Sequence, residues 1–368
     1  MSSDGTGAEQ HHGEYKVPGG KLVAVDLGTA GGVVTAASVH GDFFLEPDEA
    51  LDVMSRALVG LPVATGASAV AAAVEGALRH AEAVGALAGP VALVGVDPHA
   101  VAMAVRRALG FSTTWADHRF ELLHPGPLPP ALHTALDQVL TEELAAGRRG
   151  PTLRFWEWVD PAVIIGSFQS VRNEVDLAAA DRHGVALVRR ISGGGAMFME
   201  AGNCITFSMV VPASLVDGMS FEESYAFLNA WVLGALADVG VRATTTGLND
   251  ISSPQGKLAG SAQKRVVGGA VLHHVTMSYD IDAAKMLEVL RIGREKLSDK
   301  GTASAVRRVD PVRSQTQLPR EAVIEAFKAH FRGRYATVDG DLRPEELARA
   351  ETLRRTKFTD LAWTYRVP

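Results

Sequence analysis

The chain has 368 residues, 47% apolar and 21% charged, with a net charge of −6. That composition belongs to well-filled globular domains and excludes a disordered chain; at about 100–200 residues each, two domains are expected. No apolar run approaches the roughly 18 residues of a membrane span, and no membrane partner is expected.

The polar, acidic start Met1-Ser2-Ser3-Asp4-Gly5 lacks the order of a secretory signal. The lone Cys204 excludes an internal disulfide and any multi-cysteine metal site. Together these predict a cytoplasmic protein. Residues 1–118 carry six Lys/Arg against thirteen Asp/Glu, a net of −7, which leaves the remainder near +1. The shift marks a domain change, and the absence of a basic stripe argues against nucleic acid.

In chain order, residues 1–18 read as a flexible polar tail. Its Gln10-His11-His12 reads as solvated, because two adjacent histidines cannot form a full metal shell alone. Strands are predicted over 21–26 and 33–40, turned by Gly31-Gly32. Helices follow over 50–58 and 67–88, then a strand over 91–96 and a helix from Pro98 to Gly110. Residues 19–110 thus form a small α+β module. The stretch 111–130, with Pro125, Pro127, Pro129 and Pro130, reads as a linker. Residues 131–368 form the second domain. It has helices over 131–146, 173–183 and 221–239, and strands over 152–158, 162–166, 185–190 and 204–211. Two more strands lie within 266–282. No βαβ rhythm or repeat is visible, so the fold class is α+β on a mixed or largely antiparallel sheet.

Two segments carry chemistry. In Val188-Arg189-Arg190-Ile191-Ser192-Gly193-Gly194-Gly195, a strand runs into two arginines, a serine and three glycines. Glycines let backbone N–H groups approach a ligand, and an arginine fork matches phosphate or carboxylate. A loop that holds an anion is expected. It is neither a Walker A loop nor a G-x-G-x-x-G dinucleotide site. The second segment is Asn249-Asp250-Ile251 followed by Gly256-Lys257-Leu258-Ala259-Gly260-Ser261-Ala262. A lysine among small residues on a tight loop can reach a phosphate as a point charge. Asp250 could hold Mg²⁺, which prefers oxygen ligands. His273-His274-Val275-Thr276 follows in a strand.

Taken in order, Arg189 to Ala196, Gly202-Asn203, Asn249 to Ile251, Gly256 to Ala262 and His274 to Thr276 resemble the lipoate–protein ligase family, with its biotin/lipoate ligase catalytic fold. Pro161 to Gln169 looks like that family's first substrate-pocket strand. The resemblance covers about 128–335. It implies an ATP-dependent enzyme that forms lipoyl-adenylate and transfers the lipoyl group to a lysine. The acceptors implied are lipoyl domains of 2-oxoacid dehydrogenase acyltransferase subunits or the glycine-cleavage H protein.

By position, the resemblance makes Lys257 and Arg190 catalytic. It places Ser192, Gly193, Gly194, Gly195, Asn249, Asp250, Gly260, Ser261, His274 and Thr276 around the acyl-adenylate. The stretch 296–308, with Arg307 and Arg308, looks like the family's adenylate-binding loop. The substrates implied are ATP with Mg²⁺ and lipoate. Met199-Glu200 stands where the family usually has His-Asp. Residues 19–110 resemble the ligase accessory domain, here placed first.

Two other readings stay open. An octanoyl- or lipoyltransferase of the same fold uses a Cys nucleophile and no ATP. In the cofactor-transfer members that Cys lies just before the Asp matched by Asp250, where this chain has Leu248-Asn249, and its only thiol is Cys204. The other reading is a non-catalytic lipoyl-domain-binding protein.

Overall fold

The structure is a computed structural model that describes residues 9–17, 19–291 and 309–367. Arg307 and Arg308, with the whole of the expected 296–308 loop, lie outside the described residues. The chain divides into two compact units, residues 1–114 with 214–219, and residues 115–213 with 220–368. Among the described residues no helix is long and apolar enough to cross a membrane.

In the first unit, strands β1 (Glu9–Lys16), β2 (Leu22–Ala30) and β3 (Val33–Gly41) form an antiparallel sheet in that order. Period-2 alternation splits its faces. Val23, Val25, Leu27 and Val39 point into a core shared with helices α1 (Ala50–Leu58), α2 (Ala67–Ala83) and α3 (Pro98–Ala108). On the other face His12, Glu14, Asp26, Ser38 and His40 are exposed. Short strands β4 (Phe44–Glu46) and β5 (Ala92–Val94) pair separately.

Residues 9–16 are therefore a strand, where a tail was expected. The reason is local. Of the residues facing inward, one is Gly13, so the segment shows no apolar alternation. Gly13 lies against the backbone of α3: a Cβ there would sit 2.3 Å from the Ala104 carbonyl oxygen and the Ala108 nitrogen.

The second unit is built on an eight-stranded mixed sheet. Its strands are β6 (Phe120–Leu123), β7 (Thr152–Trp156), β11 (Cys204–Pro212), β12 (Thr244–Thr246), β13 (Asp250–Ser252), β14 (Lys257–Val266), β15 (Ala270–Ser278) and β16 (Thr337–Asp339). The spatial order is β12-β13-β14-β15-β11-β7-β6-β16. The β16/β6 and β6/β7 pairs are parallel and the rest antiparallel. A smaller sheet joins β8 (Ala162–Ile165), β9 (Ala186–Arg189) and β10 (Met197–Met199).

Helix α4 (Pro130–Ala145) covers one face of the large sheet. Helices Phe221–Asp238 and Arg320–Arg334 cover the other, where Trp231 meets Phe207, Phe327 and Phe331. This is an α+β fold on a mixed sheet.

Three local readings change. Strand β6 and a 3-10 turn at Trp115–Asp117 lie inside the expected linker, masked in the sequence by the neighbouring prolines. The helix expected over 173–183 is two short helices, Val171–Glu174 and Leu177–Arg182, because Asp176 caps the second by accepting from the Ala179 N–H at 2.9 Å. Lys257 opens the long strand β14 and does not sit on a tight loop.

Gly13→Ala should destabilise the first unit, because helix backbone cannot yield to a new methyl group. We expect a loss of roughly 1–3 kcal/mol, read as a lowered unfolding midpoint in chemical denaturation. An unchanged midpoint would show that β1 does not hold this register against α3.

Candidate active site

Four strands, β7, β11, β15 and β14, present alternating rows to α4. Arg154, Ser208, His274 and Ala262 form one cross-strand row; Trp156, Thr206, Thr276 and Gly260 form the next. Between this face and the loop after β9 lies a cavity of about 590 Å³, counting the open solvent at its mouth. Its walls are largely apolar: Trp156, Ile164, Ala196, Met197, Met199 and Ala262. Polar groups enter at Thr134, Thr206, His274 and Thr276, and Asn249, Lys257 and Ser261 also line it.

A buried chain of polar side chains backs the cavity. Arg154, fully buried, donates from Nη2 to Asp137 Oδ1 at 2.8 Å and from Nη1 to His133 Nδ1 at 2.9 Å. Its guanidinium also lies over the Trp156 ring, 4.5 Å from the centroid. Asp137 Oδ2 accepts from His274 Nδ1 at 2.8 Å. A carboxylate only accepts, so Nδ1 carries the proton. His274 Nε2 in turn lies 2.7 Å from the Ser192 hydroxyl. Burial opposes the charge on Asp137, but its hydrogen bond to His274 and the Arg154 charge hold its pKa below the ordinary carboxylate value. Burial and Arg154 push His133 down to about 3, so it is neutral and stacks on Trp156.

The glycine-rich loop closes the same site, with Arg190 in a different role from the one expected. Its Nε donates to Ser192 Oγ at 3.0 Å and its Nη1 to the Ile164 carbonyl at 2.9 Å. Its Nη2 donates to the carbonyls of Gly193 at 2.6 Å and Gly195 at 2.9 Å. The fork expected to grip an anion is thus spent on the loop's own backbone. Burial lowers its pKa to about 10, so it keeps its charge at neutral pH. Gly194 has φ +90, and a Cβ there would meet Arg190 Nη2 at 2.9 Å, so this turn needs glycine. Arg189 acts likewise, donating to the carbonyls of Gly166, Gln169 and Thr364 at 2.8 Å.

At the other end of the cavity Lys257 Nζ lies 2.8 Å from Asp250 Oδ1, both side chains more than one-third exposed. Gly260 leaves room for it: a Cβ there would lie 3.3 Å from Nζ. The Lys257 carbonyl accepts from the Asp310 N–H at 2.9 Å. Asn249 and Ser261 are tied to the scaffold, since the Asn249 side chain donates to the Ser261 carbonyl at 2.6 Å and Ser261 Oγ pairs with Asn229. His273 points to the opposite face, with Nε2 2.9 Å from Asn229 Oδ1.

Two positions flagged in the sequence are settled by packing. Met199 is a buried wall of the cavity. Glu200 turns away and accepts from Lys285 Nζ at 2.6 Å. Cys204 is fully buried in an apolar cluster with Trp158 and Met199, donates to the Glu200 carbonyl at 3.3 Å, and has its pKa pushed up to about 11 by burial. Burial of this kind lowers a thiol's reactivity.

Residues 129–332 match the family model of the lipoyl protein ligase A/B catalytic domain, more than half the chain. The chain belongs to this family.

Lipoate–protein ligase 1 of Staphylococcus aureus is 30% identical over 241 residues, 64% of this chain and 70% of that protein. Octanoyltransferase LipM of Geobacillus kaustophilus is 26% identical over 275 residues, 67% of this chain and 98% of that one. A bipartite lipoate protein ligase from Thermoplasma acidophilum, whose structural study includes its E2 lipoyl domain, aligns with a TM-score of 0.61 at 28% identity, over 68% of this chain and 98% of that one.

The chain is therefore an enzyme of the lipoate ligase and octanoyltransferase family. The structure also identifies what the motifs missed. Asp137, Arg154 and His133 belong to no recognised motif, yet they orient His274. The available signal was Arg154 inside the apolar run Leu153-Arg154-Phe155-Trp156; Asp137 gave none, because its helix also carries Glu142 and Glu143.

Asp137→Ala should cost about 3–5 kcal/mol in urea denaturation, because it strands the Arg154 charge in the core. Asp137→Ala with Arg154→Met should recover part of the loss; no recovery would exclude an uncompensated Arg154 as its cause.

His133 and His273 are both buried neutral, each pushed down to about 3 from 6.5. Their contribution is complete above pH 6.5 and is lost as pH falls, because only the unfolded chain takes up these protons. From pH 6.5 to 5 stability should drop by roughly 1.4 kcal/mol per pH unit for each histidine. In His273→Gln about half of that slope should disappear; an unchanged slope would exclude His273 as a contributor.

Proposed function

We propose that this protein is an ATP-dependent lipoate–protein ligase. The carrying observation is where its nucleophile and its cation lie. The only thiol is sealed in the core, whereas Lys257 stands where the apolar cavity opens. A transferase would need an accessible thiolate to carry the acyl group. Adenylation needs none. The lipoate carboxylate attacks the α-phosphorus of ATP and pyrophosphate leaves. The lysine amine of the acceptor then attacks the acyl carbon and AMP leaves with the bonding electron pair.

Each part has a place. The apolar walls take the C8 chain and its dithiolane. Lys257 leaves Asp250 to meet the carboxylate and α-phosphate, where positive charge stabilises the transition state. Arg190 acts as a positioning residue that fixes the glycine loop beside them. Mg²⁺ commonly takes one or two carboxylates plus substrate phosphates; Asp250 fits as that single carboxylate, with the nucleotide supplying the rest. Ser192 and His274 set one side of the acyl site through Asp137. The acceptor is a lipoyl domain of a 2-oxoacid dehydrogenase or the glycine-cleavage H protein. Residues 19–110 act as the accessory domain that supports adenylation.

The test is lipoate-dependent exchange of labelled pyrophosphate into ATP, followed by mass spectrometry of a lipoyl domain. Lys257→Ala should lower exchange by at least about 10²-fold while leaving the unfolding midpoint unchanged. Cys204→Ser should keep most of the ATP-dependent transfer. Octanoyl transfer from a carrier thioester without ATP, abolished in Cys204→Ser, would favour the transferase instead.

A further inference from the structure

The first unit carries a cluster that shares no residue with the acyl cavity. His12 on β1, Asp26 on β2 and His40 on β3 stand on the sheet face opposite the helices. His12 Nδ1 is 2.7 Å from Asp26 Oδ1, and His40 Nε2 is 2.9 Å from Asp26 Oδ2. One ligand atom from each residue lies within 4.8 Å of the others. The register explains the convergence. His12 pairs directly with Asp26, while His40 and Glu14 flank Ala24 in the next row. Ala24 is the small residue of that row, so the longer side chains lean over it.

We propose that His12 Nδ1, His40 Nε2 and Asp26 bind a divalent transition-metal ion of the zinc class. Two imidazoles and one carboxylate, with water completing a tetrahedron, suit such an ion. A tetrahedral shell with bonds of about 2.0–2.1 Å separates neighbouring ligand atoms by about 3.3 Å. The present contacts, at 2.7 and 2.9 Å, need open by only a few tenths of an ångström. The side chains are free to do so, being 46–55% exposed.

Glu14 supplies a further feature. Its carboxylate lies 3.2 Å from His12 Nε2, the nitrogen left over when Nδ1 binds metal. A carboxylate on the outer nitrogen fixes the tautomer and strengthens the ligand. Hard oxygen-seeking Mg²⁺ gains nothing from two imidazoles. Bound metal would tie three strands together across the sheet and pin the edge strand β1 from its exposed face, opposite the face where Gly13 and Tyr15 pack against the core.

Full-length protein without a histidine tag, stripped by EDTA, is titrated with Zn²⁺ in a calorimeter. We expect one Zn²⁺ per chain and a raised melting temperature, with no heat from Mg²⁺. His40→Ala and Asp26→Asn should lose that equivalent, and Glu14→Gln should bind about 10–100-fold more weakly. Circular dichroism checks that these exposed substitutions leave the fold intact. Failure of the wild type to bind Zn²⁺, or undiminished binding by His40→Ala and Asp26→Asn, would overturn the proposal. Neither readout depends on enzymatic activity.

Discussion

The site rests on one buried carboxylate. Asp137 sits in the interior between a permanent cation, Arg154, and the imidazole of His274. A lone charge there would cost several kcal/mol. Held from both sides it becomes a constraint that joins α4, β7 and β15. It also fixes which nitrogen of His274 carries the proton, and so which partner Ser192 finds. Everything on the cavity side of the sheet is registered to that contact.

The same accounting governs the glycine loop. Carbonyls of a tight, partly buried turn need donors. Arg190 supplies them to Gly193, Gly195 and Ile164, and Arg189 to Gly166, Gln169 and Thr364. Two charged side chains thereby do structural work that a sequence motif would assign to ligand binding. With Arg190 committed, Lys257 is the cation of the anion motifs that can exchange its partner, because its pairing with Asp250 is exposed and weak. Rigid scaffold on one side and a releasable lysine on the other suit the proposed adenylation of a bound acyl chain.

The family contains both ligases and octanoyltransferases, and the shared fold cannot separate them. What separates them is whether a reactive thiol faces the acyl site. Burial raises the Cys204 thiol away from ionisation and removes it from the cavity wall. Met199 then has a plain role, extending the apolar wall of the cavity.

The sequence by itself determined the fold class, the family and the order of the cavity-lining segments. These depend on local signals: alternation in β11 and β15, glycines where φ is positive, a lysine among small residues. It also disclosed Lys257, Asn249, Ser261, His274 and Thr276 as neighbours of one cavity, through a pattern of types at set spacings. Tertiary structure alone decided what Arg190 does, because a guanidinium's partners are whatever carbonyls the fold brings within reach. It alone supplied Asp137 and Arg154, which lie 17 residues apart on a helix and a strand and become one unit by packing. Strand β1 was illegible for a similar reason. An edge strand whose inward residue is glycine has no hydrophobic period to read, and its His12 meets Asp26 and His40 only once three strands are in register.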